Sequence, residues 1–180
     1  MMQHQSNKTV QVRPLAKEEV PLIISYFFTA SPEFLRGMGA DPDKLPNKTA
    51  WAQTLEKEIG LPLKEKKIFY LVWVQNGIPV GHSNLTFLEY GKEAHMHLHL
   101  WNPNVRKKGL GLEFLNQCIP YYFECFKLKI LICEPYGLNP APNAILSQLG
   151  FTKTRTYRTT PGTINFEQEV NRWELNKESC

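Results

Sequence analysis

The chain has 180 residues, 42% of them hydrophobic and 12% aromatic, which suits one globular domain with a sizeable core and excludes a disordered chain. Its 21 Lys and Arg against 17 Asp and Glu leave a net charge of +4, mildly basic and without the basic tracts that mark a nucleic-acid binder. The longest early apolar run, 20–30, is too short and too interrupted to span a bilayer, and residues 1–10 are polar, so a soluble chain without a signal peptide is expected.

In chain order, 9–14 reads as a first strand. From 17 to 30, Val20, Ile23, Ile24 and Phe27 recur at helical spacing, with Pro21 tolerable in the first turn. Residues 31–48, rich in Pro and Gly, read as a loop. A second helix carries Trp51, Leu55 and Ile59 on one face and stops at Gly60. Strand 68–75, the Asn76-Gly77 turn and strand 78–87 make a hairpin. A strand over 94–101 follows, then a helix over 109–126 with Leu112, Leu115, Ile119, Tyr122 and Phe126 on its buried stripe. Pro120 is expected to kink that helix or end it early. Residues 129–133 form a short apolar strand, so 94–133 is a β-α-β unit with parallel strands. A short helix over 143–149 and strands over 152–157 and 164–175 complete the pattern. The reading is an α+β fold in one domain with its core over about 9–175. Its mixed, mostly antiparallel sheet has about seven strands and flanking helices.

Chemistry concentrates in 95–111. On an alternating strand His95, His97, His99 and Trp101 share one face, while Met96, Leu98 and Leu100 take the other. The strand runs through Asn102-Pro103-Asn104 into Arg106-Lys107-Lys108-Gly109-Leu110-Gly111 at the start of a helix. Glycines there admit a tight turn and close ligand approach, while unpaired amides and the helix dipole favour an anion such as a pyrophosphate. The same glycines also suit plain close packing. A nucleotide P-loop does not fit, because no Gly-Lys-Ser/Thr follows, and a dinucleotide fingerprint lacks its glycine triplet.

Residues 100–111, Leu-Trp-Asn-Pro-Asn-Val-Arg-Lys-Lys-Gly-Leu-Gly, resemble motif A of the GCN5-related N-acetyltransferase (GNAT) family, whose core is Gln/Arg-x-x-Gly-x-Gly/Ala. Residues 139–151, from Asn139 to Leu149-Gly150-Phe151, resemble its motif B, and the helix and strand between the two also match. The resemblance implies a GNAT-like fold, acetyl-CoA as acyl donor, and direct attack of an amine on the thioester. The amine acceptor would be a small molecule or a peptide or protein amine. It also implies that the amides of Lys107, Lys108, Gly109, Leu110 and Gly111 cradle the pyrophosphate, with Arg106 opening the motif. Amides near Leu100 and Trp101 would meet the pantetheine arm and polarise the thioester carbonyl, and Asn139 would hydrogen-bond that arm.

Family members often carry a Glu base on this strand; here His97 and His99 take that place, with an ordinary pKa of roughly 6.5 suited to neutral pH. A Tyr that serves as general acid in many members is replaced by Leu146. Tyr136 is the substitute named for it, with Tyr157, Ser147 or water as others, and Glu134 is a further candidate for handling the amine. Acceptor recognition is expected from 31–48, with Glu33, Asp41, Asp43, Phe34, Leu35 and Met38, and from 158–162. Two alternatives stay open: a noncatalytic CoA-binding module on the same fold, and a zinc enzyme using His95, His97 and His99, although no further ligand is marked, so no metal is assigned. Cys118, Cys125, Cys133 and Cys180 form no C-x-x-C pair and read as reduced thiols of a cytoplasmic protein. No membrane partner is expected, and a homodimer is an admissible assembly.

Overall fold

A computed structural model describes residues 9–102 and 109–179. Seven strands form one sheet: β1 (Val10–Pro14), β2 (Phe69–Gln75), β3 (Ile78–Glu89), β4 (Glu93–Leu100), β5 (Ile130–Cys133), β6 (Thr152–Thr159) and β7 (Gln168–Asn176). Their spatial order is β1-β2-β3-β4-β5-β7-β6, antiparallel throughout except for the β4–β5 pair. Asn76 and Gly77, both at positive φ, close the β2–β3 hairpin as the Asn-Gly signal predicts.

Helices cover both faces. On one, α1 (Val20–Thr29), α2 (Pro32–Gly37) and α3 (Lys48–Gly60) bury Ile23, Phe27, Leu35 and Leu55 against Tyr70, Val72 and Val74. On the other, α4 (Leu110–Phe126) and α5 (Pro140–Gln148) bury Phe114, Leu115, Tyr122, Phe126 and Leu146 against Leu71, Trp73, Leu85 and Met96. The alternation of the strands divides these two cores.

Five expectations change. Residues 31–48 are not loop throughout: Ser31 Oγ accepts from the Phe34 amide at 3.1 Å with Pro32 at the first helical position, a complete N-cap that starts α2. Helix α4 runs unbroken past Pro120. That proline and Asn116, whose carbonyl loses a partner, are both exposed, while Cys118, Ile119, Tyr122, Phe123 and Phe126 hold the second half on the sheet. Leu112 is only half-buried; Leu110 and Phe114 lead the stripe instead. Helix α5 starts at Pro140, three residues early, and β7 starts only at Gln168. The segment before β7 is spent on α2's far end, where Ile164 O accepts from the Asp41 amide at 2.7 Å and Gln168 Nε2 donates to Gly39 O at 2.7 Å. No helix among the described residues is long and apolar enough to cross a membrane.

Candidate active site

The parallel β4–β5 pair is short. Glu93, Ala94 and His95 face Ile130, Leu131 and Ile132, and the β4–β5 register ends there, at His95. β3 stays paired along the other side as far as Leu100. Ser83 Oγ donates to the His97 carbonyl at 2.8 Å and the Trp101 amide donates to Val80 O at 2.9 Å, so the odd-numbered peptide groups turn toward β3. Alternation then turns those of Met96, Leu98 and Leu100 toward the opening beside β5. The Leu100 peptide group thus faces away from β3, whereas the Trp101 amide is committed to Val80. An extended ligand arm can lie along this edge as an added strand does.

Helix α4 follows β4 in the chain, and its first residue, Leu110, belongs to the core cluster against which Leu98 and Leu100 pack. Gly109 is its N-cap at φ +73°, a left-handed conformation that glycine takes without steric cost, and a Cβ there would meet open space. No side chain among the described residues caps the helix, and its first amides, those of Leu110 and Gly111 among them, have no intrahelical acceptor. Gly111 has a packing reason as well: a Cβ would come within 3.2 Å of Ile145 Cδ1 on α5. Arg106, Lys107 and Lys108 lie outside the described residues. Across the opening, Asn139 is the N-cap residue of α5 and its side chain makes no capping bond. The neighbouring Asn143 is fully engaged. Its Nδ2 donates to the Asn139 and Tyr136 carbonyls (2.8 and 3.1 Å) and its Oδ1 accepts from Asn171 Nδ2 and Trp173 Nε1 (2.9 and 3.1 Å), clamping α5 to β7.

The histidines share a face, as the alternation predicts, and each has its own setting. His97 Nε2 lies 2.8 Å from Thr86 Oγ1, and burial pushes its pKa down to about 4, with His95 adding to the shift and Glu134 opposing it. His99 Nδ1 lies 3.4 Å from the Tyr26 hydroxyl, and its ring stacks on that of His82 at 4.7 Å. His82, across from His99 on β3, is fully buried; Trp101 Nε1 donates to its Nδ1 at 2.7 Å. The proton of the neutral ring must then sit on Nε2, which has no partner among the described residues. Burial holds His82 well below the ordinary histidine range, with His99 and His97 pushing the same way. Among the described residues no group of three or more His, Cys, Asp or Glu side chains is arranged to hold a metal.

The far bank carries a buried ionic cluster. Glu134, its side chain 6% exposed, accepts from Tyr157 Oη at 2.5 Å and Arg172 Nη1 at 2.9 Å, with His95 Nδ1 3.7 Å from its second oxygen. Arg172 Nε also donates to Glu174 at 2.6 Å. Burial lowers the His95 pKa, Glu134 works against that, and Arg172 reinforces it. Tyr136 stands three residues beyond β5, bridged to Val170, with its ring edge-on to Phe166 at 5.6 Å. It therefore occupies the bank opposite the histidines. Leu146 is fully buried in the core, so no hydroxyl replaces the absent Tyr at that position, and Ser147 is exposed with its hydroxyl on Ala144 O.

On the acceptor side a groove of about 550 Å³ runs between α1, α2 and the end of β4, lined by Leu22, Tyr26, Ser31, Phe34 and Trp101 among others. Phe34 thus lines a surface, as one expectation had it, while Leu35 belongs to the core and Met38 packs beside Tyr26. Asp41 caps the short turn at 42–44 through Asp43, and Glu33 is exposed outside the groove lining. Sequence reasoning missed Tyr26 and His82. The helical stripe counts Tyr26 as flank, and finding His82 requires the β3–β4 register.

The profile of the Acetyltransferase (GNAT) domain matches residues 9–152. Curated proteins return no match to the sequence. Among solved structures the chain is similar to RimL, a ribosomal alpha-N-protein acetyltransferase in complex with coenzyme A, at TM-score 0.77 and 14% identity over 96% of each chain. It is also similar to spermidine N-acetyltransferase from Vibrio cholerae in complex with CoA and spermine, at 0.76 and 16%, over 94% of this chain and 96% of that one. Aminoglycoside acetyltransferase AAC(6')-Ib in complex with coenzyme A matches at 0.72 and 12%, over 95% and 96%. At these identities the structures establish a shared fold, and the profile, spanning most of the sequence from the first strand to the start of β6, establishes more: the chain belongs to the GNAT acetyltransferase family.

Proposed function

We propose that the protein is an acetyl-CoA-dependent N-acetyltransferase in which an amine attacks the thioester directly. The observation that carries this is the parting of β4 from β5 after His95, together with a glycine-led α4 N-terminus that has no side-chain cap among the described residues. The α4 amides would hold the pyrophosphate, the Leu98 and Leu100 edge would receive the pantetheine arm, and the uncapped Asn139 would meet it from the other bank. Bound acetyl-CoA supplies an acetyl thioester: a C–N bond forms to the amine, the C–S bond breaks, and CoA leaves as the thiolate.

The chain's own task is then to orient the amine and move two protons. The amine must shed one, and the thiolate must gain one. His99, on the acceptor side of β4, is the better base of the two named histidines, because His97 is bound to Thr86 and weakly basic. With Leu146 buried in the acid's usual place, Tyr136 on the far bank or water returns a proton to sulfur. The three cysteines among the described residues are all free, which supports a reducing, cytoplasmic setting.

A thermal-shift series tests the donor half. Acetyl-CoA should raise Tm where ATP and NAD do not, and Gly109→Val should abolish the rise. An undiminished rise in that variant would remove the α4 cradle. CoA release on addition of amines tests the transfer itself.

A further inference from the structure

The acceptor groove narrows the class of amine, an inference that rests on reading the β4 face as the transfer site. The groove reaches that face directly. Its wall residue Tyr26 places its hydroxyl 3.4 Å from His99 Nδ1, and its other wall, Trp101, continues β4. The lining is aromatic and aliphatic: Tyr26 and Phe34 meet edge-to-face at 6.3 Å, with Leu22 on the rim.

Two of its hydroxyls are occupied locally. Thr29 Oγ1 donates to Ser25 O at 2.8 Å, and Ser31 Oγ accepts from the Phe34 amide at 3.1 Å. No carboxylate is among the described residues lining the groove, and residues 1–8 and 103–108 contain no Asp or Glu at all.

A polycation placed here would lose water from two or more charges with no carboxylate among the described lining residues to compensate, a cost that rings alone do not repay. A single ammonium on an apolar group faces no such conflict. Its ring or chain lies on Tyr26, Phe34 and Trp101, and its nitrogen points to His99. The same desolvation lowers the ammonium's pKa and favours the neutral, nucleophilic form.

We infer that the acceptor is a monocationic primary amine borne on an aromatic or aliphatic group, and not a polyamine or aminoglycoside. Two sources share that chemistry, a free arylalkylamine and a peptide N-terminus with an apolar first residue.

The test measures kcat/KM for CoA release with phenethylamine, with short peptides beginning in Met-Leu or Phe-Leu, with spermidine and with kanamycin. Acetyl-CoA binding is followed in parallel by thermal shift. At least about a tenfold preference for phenethylamine or the peptides over both polycations is expected, and whichever of the two leads identifies the source. Leu22→Glu, which places a carboxylate on the groove rim, should narrow that preference by raising turnover of spermidine. Preference for spermidine or kanamycin overturns the inference. So does acetyl-CoA binding with no turnover of phenethylamine or the peptides. Loss of acetyl-CoA binding itself would instead overturn the transferase reading beneath it.

Discussion

Gly81 offers a way to move the reacting edge without touching any group that contacts substrate. It lies on β3 opposite Leu100, and a Cβ built there would sit 2.5 Å from the His99 carbonyl oxygen, 3.2 Å from Leu100 Cα and 3.0 Å from the Trp73 ring. Both β4 contacts are backbone, so no side-chain rotation relieves them. Restoring an ordinary contact requires the end of β4 to retreat by roughly 0.5–1 Å, toward the opening where the thioester would lie. Overpacking of this size costs about 1–3 kcal/mol, or a drop in Tm of roughly 2–12 °C for a domain this large. A displacement approaching 1 Å at a reaction centre costs up to about 10²-fold in rate. Gly81→Ala should therefore fold, melt a few degrees lower and lose about 10- to 100-fold in kcat. Its acetyl-CoA Kd, set mainly at the α4 N-terminus, should change by less than about threefold. Stopped thiol-release assays and calorimetric titration separate the two. A folded Gly81→Ala with unchanged kcat would show that the position of the β4 edge does not govern transfer.

Below the unfolded histidine pKa of roughly 6.5 the unfolded chain takes up a proton that native His97, with its pKa near 4, refuses. Its stabilising contribution is thus whole above about pH 6.5 and is lost as pH falls through 4, on the order of 3 kcal/mol at most; a Tm-versus-pH series should flatten over that window in His97→Gln. Glu134→Gln should destabilise by about 2–4 kcal/mol in chemical denaturation, because Arg172 keeps only Glu174 in a mostly buried site. It should also lower the His95 pKa further in an NMR titration, since Glu134 is the larger of the two charges, with Glu93, that raise it. Asn143→Ala should lose about 2–3 kcal/mol by orphaning Asn171 Nδ2 and Trp173 Nε1, whereas Asn139→Ala should leave Tm alone and raise the KM for acetyl-CoA. His99→Gln should reduce kcat/KM about 10²-fold at pH 7 and recover part of it near pH 9, where the free amine is abundant; equal impairment at both would make His99 a packing residue.

Local signals made most of this fold legible. A continuous apolar run marks β2, a period-3.6 pattern marks α1, and Asn76-Gly77 marks the hairpin between β2 and β3, because those signals coincide with what the tertiary structure demands. Where the two compete, the pattern misled. Pro120 breaks a local rule that the buried face of α4 overrides, and Ser31-Pro32-Glu33 is a helix start obscured by the prolines and glycines around it. The site divides the same way. The histidine stripe follows from alternation alone. Its meeting with His82 depends on the β3–β4 register, which a bulge between Thr86 and Glu89 removes from any count along the chain. The Glu134–Arg172–Tyr157 cluster joins the residue after β5 to Tyr157 and Arg172 on β6 and β7, 23 and 38 positions further along the chain, and no local pattern marks their meeting.

The proposed division of labour across β4 accounts for transfer at a site that carries histidines where a Glu base is common. In that reading one edge of the strand, with α4 and Asn139, would take the donor. One face, with α1 and α2, would take the acceptor, the two meeting near Leu98, His99 and Leu100. On that face His82 and His97 are held neutral by burial, so they add no positive charge to repel an arriving ammonium. A groove of aromatic walls without carboxylates further destabilises the charged amine relative to its neutral form. Part of the deprotonation that a Glu base supplies elsewhere in the family is thus shifted onto the substrate's surroundings. The same arrangement makes the absence of negative charge a working feature of the acceptor face, and it ties the choice of amine to the chemistry of its activation.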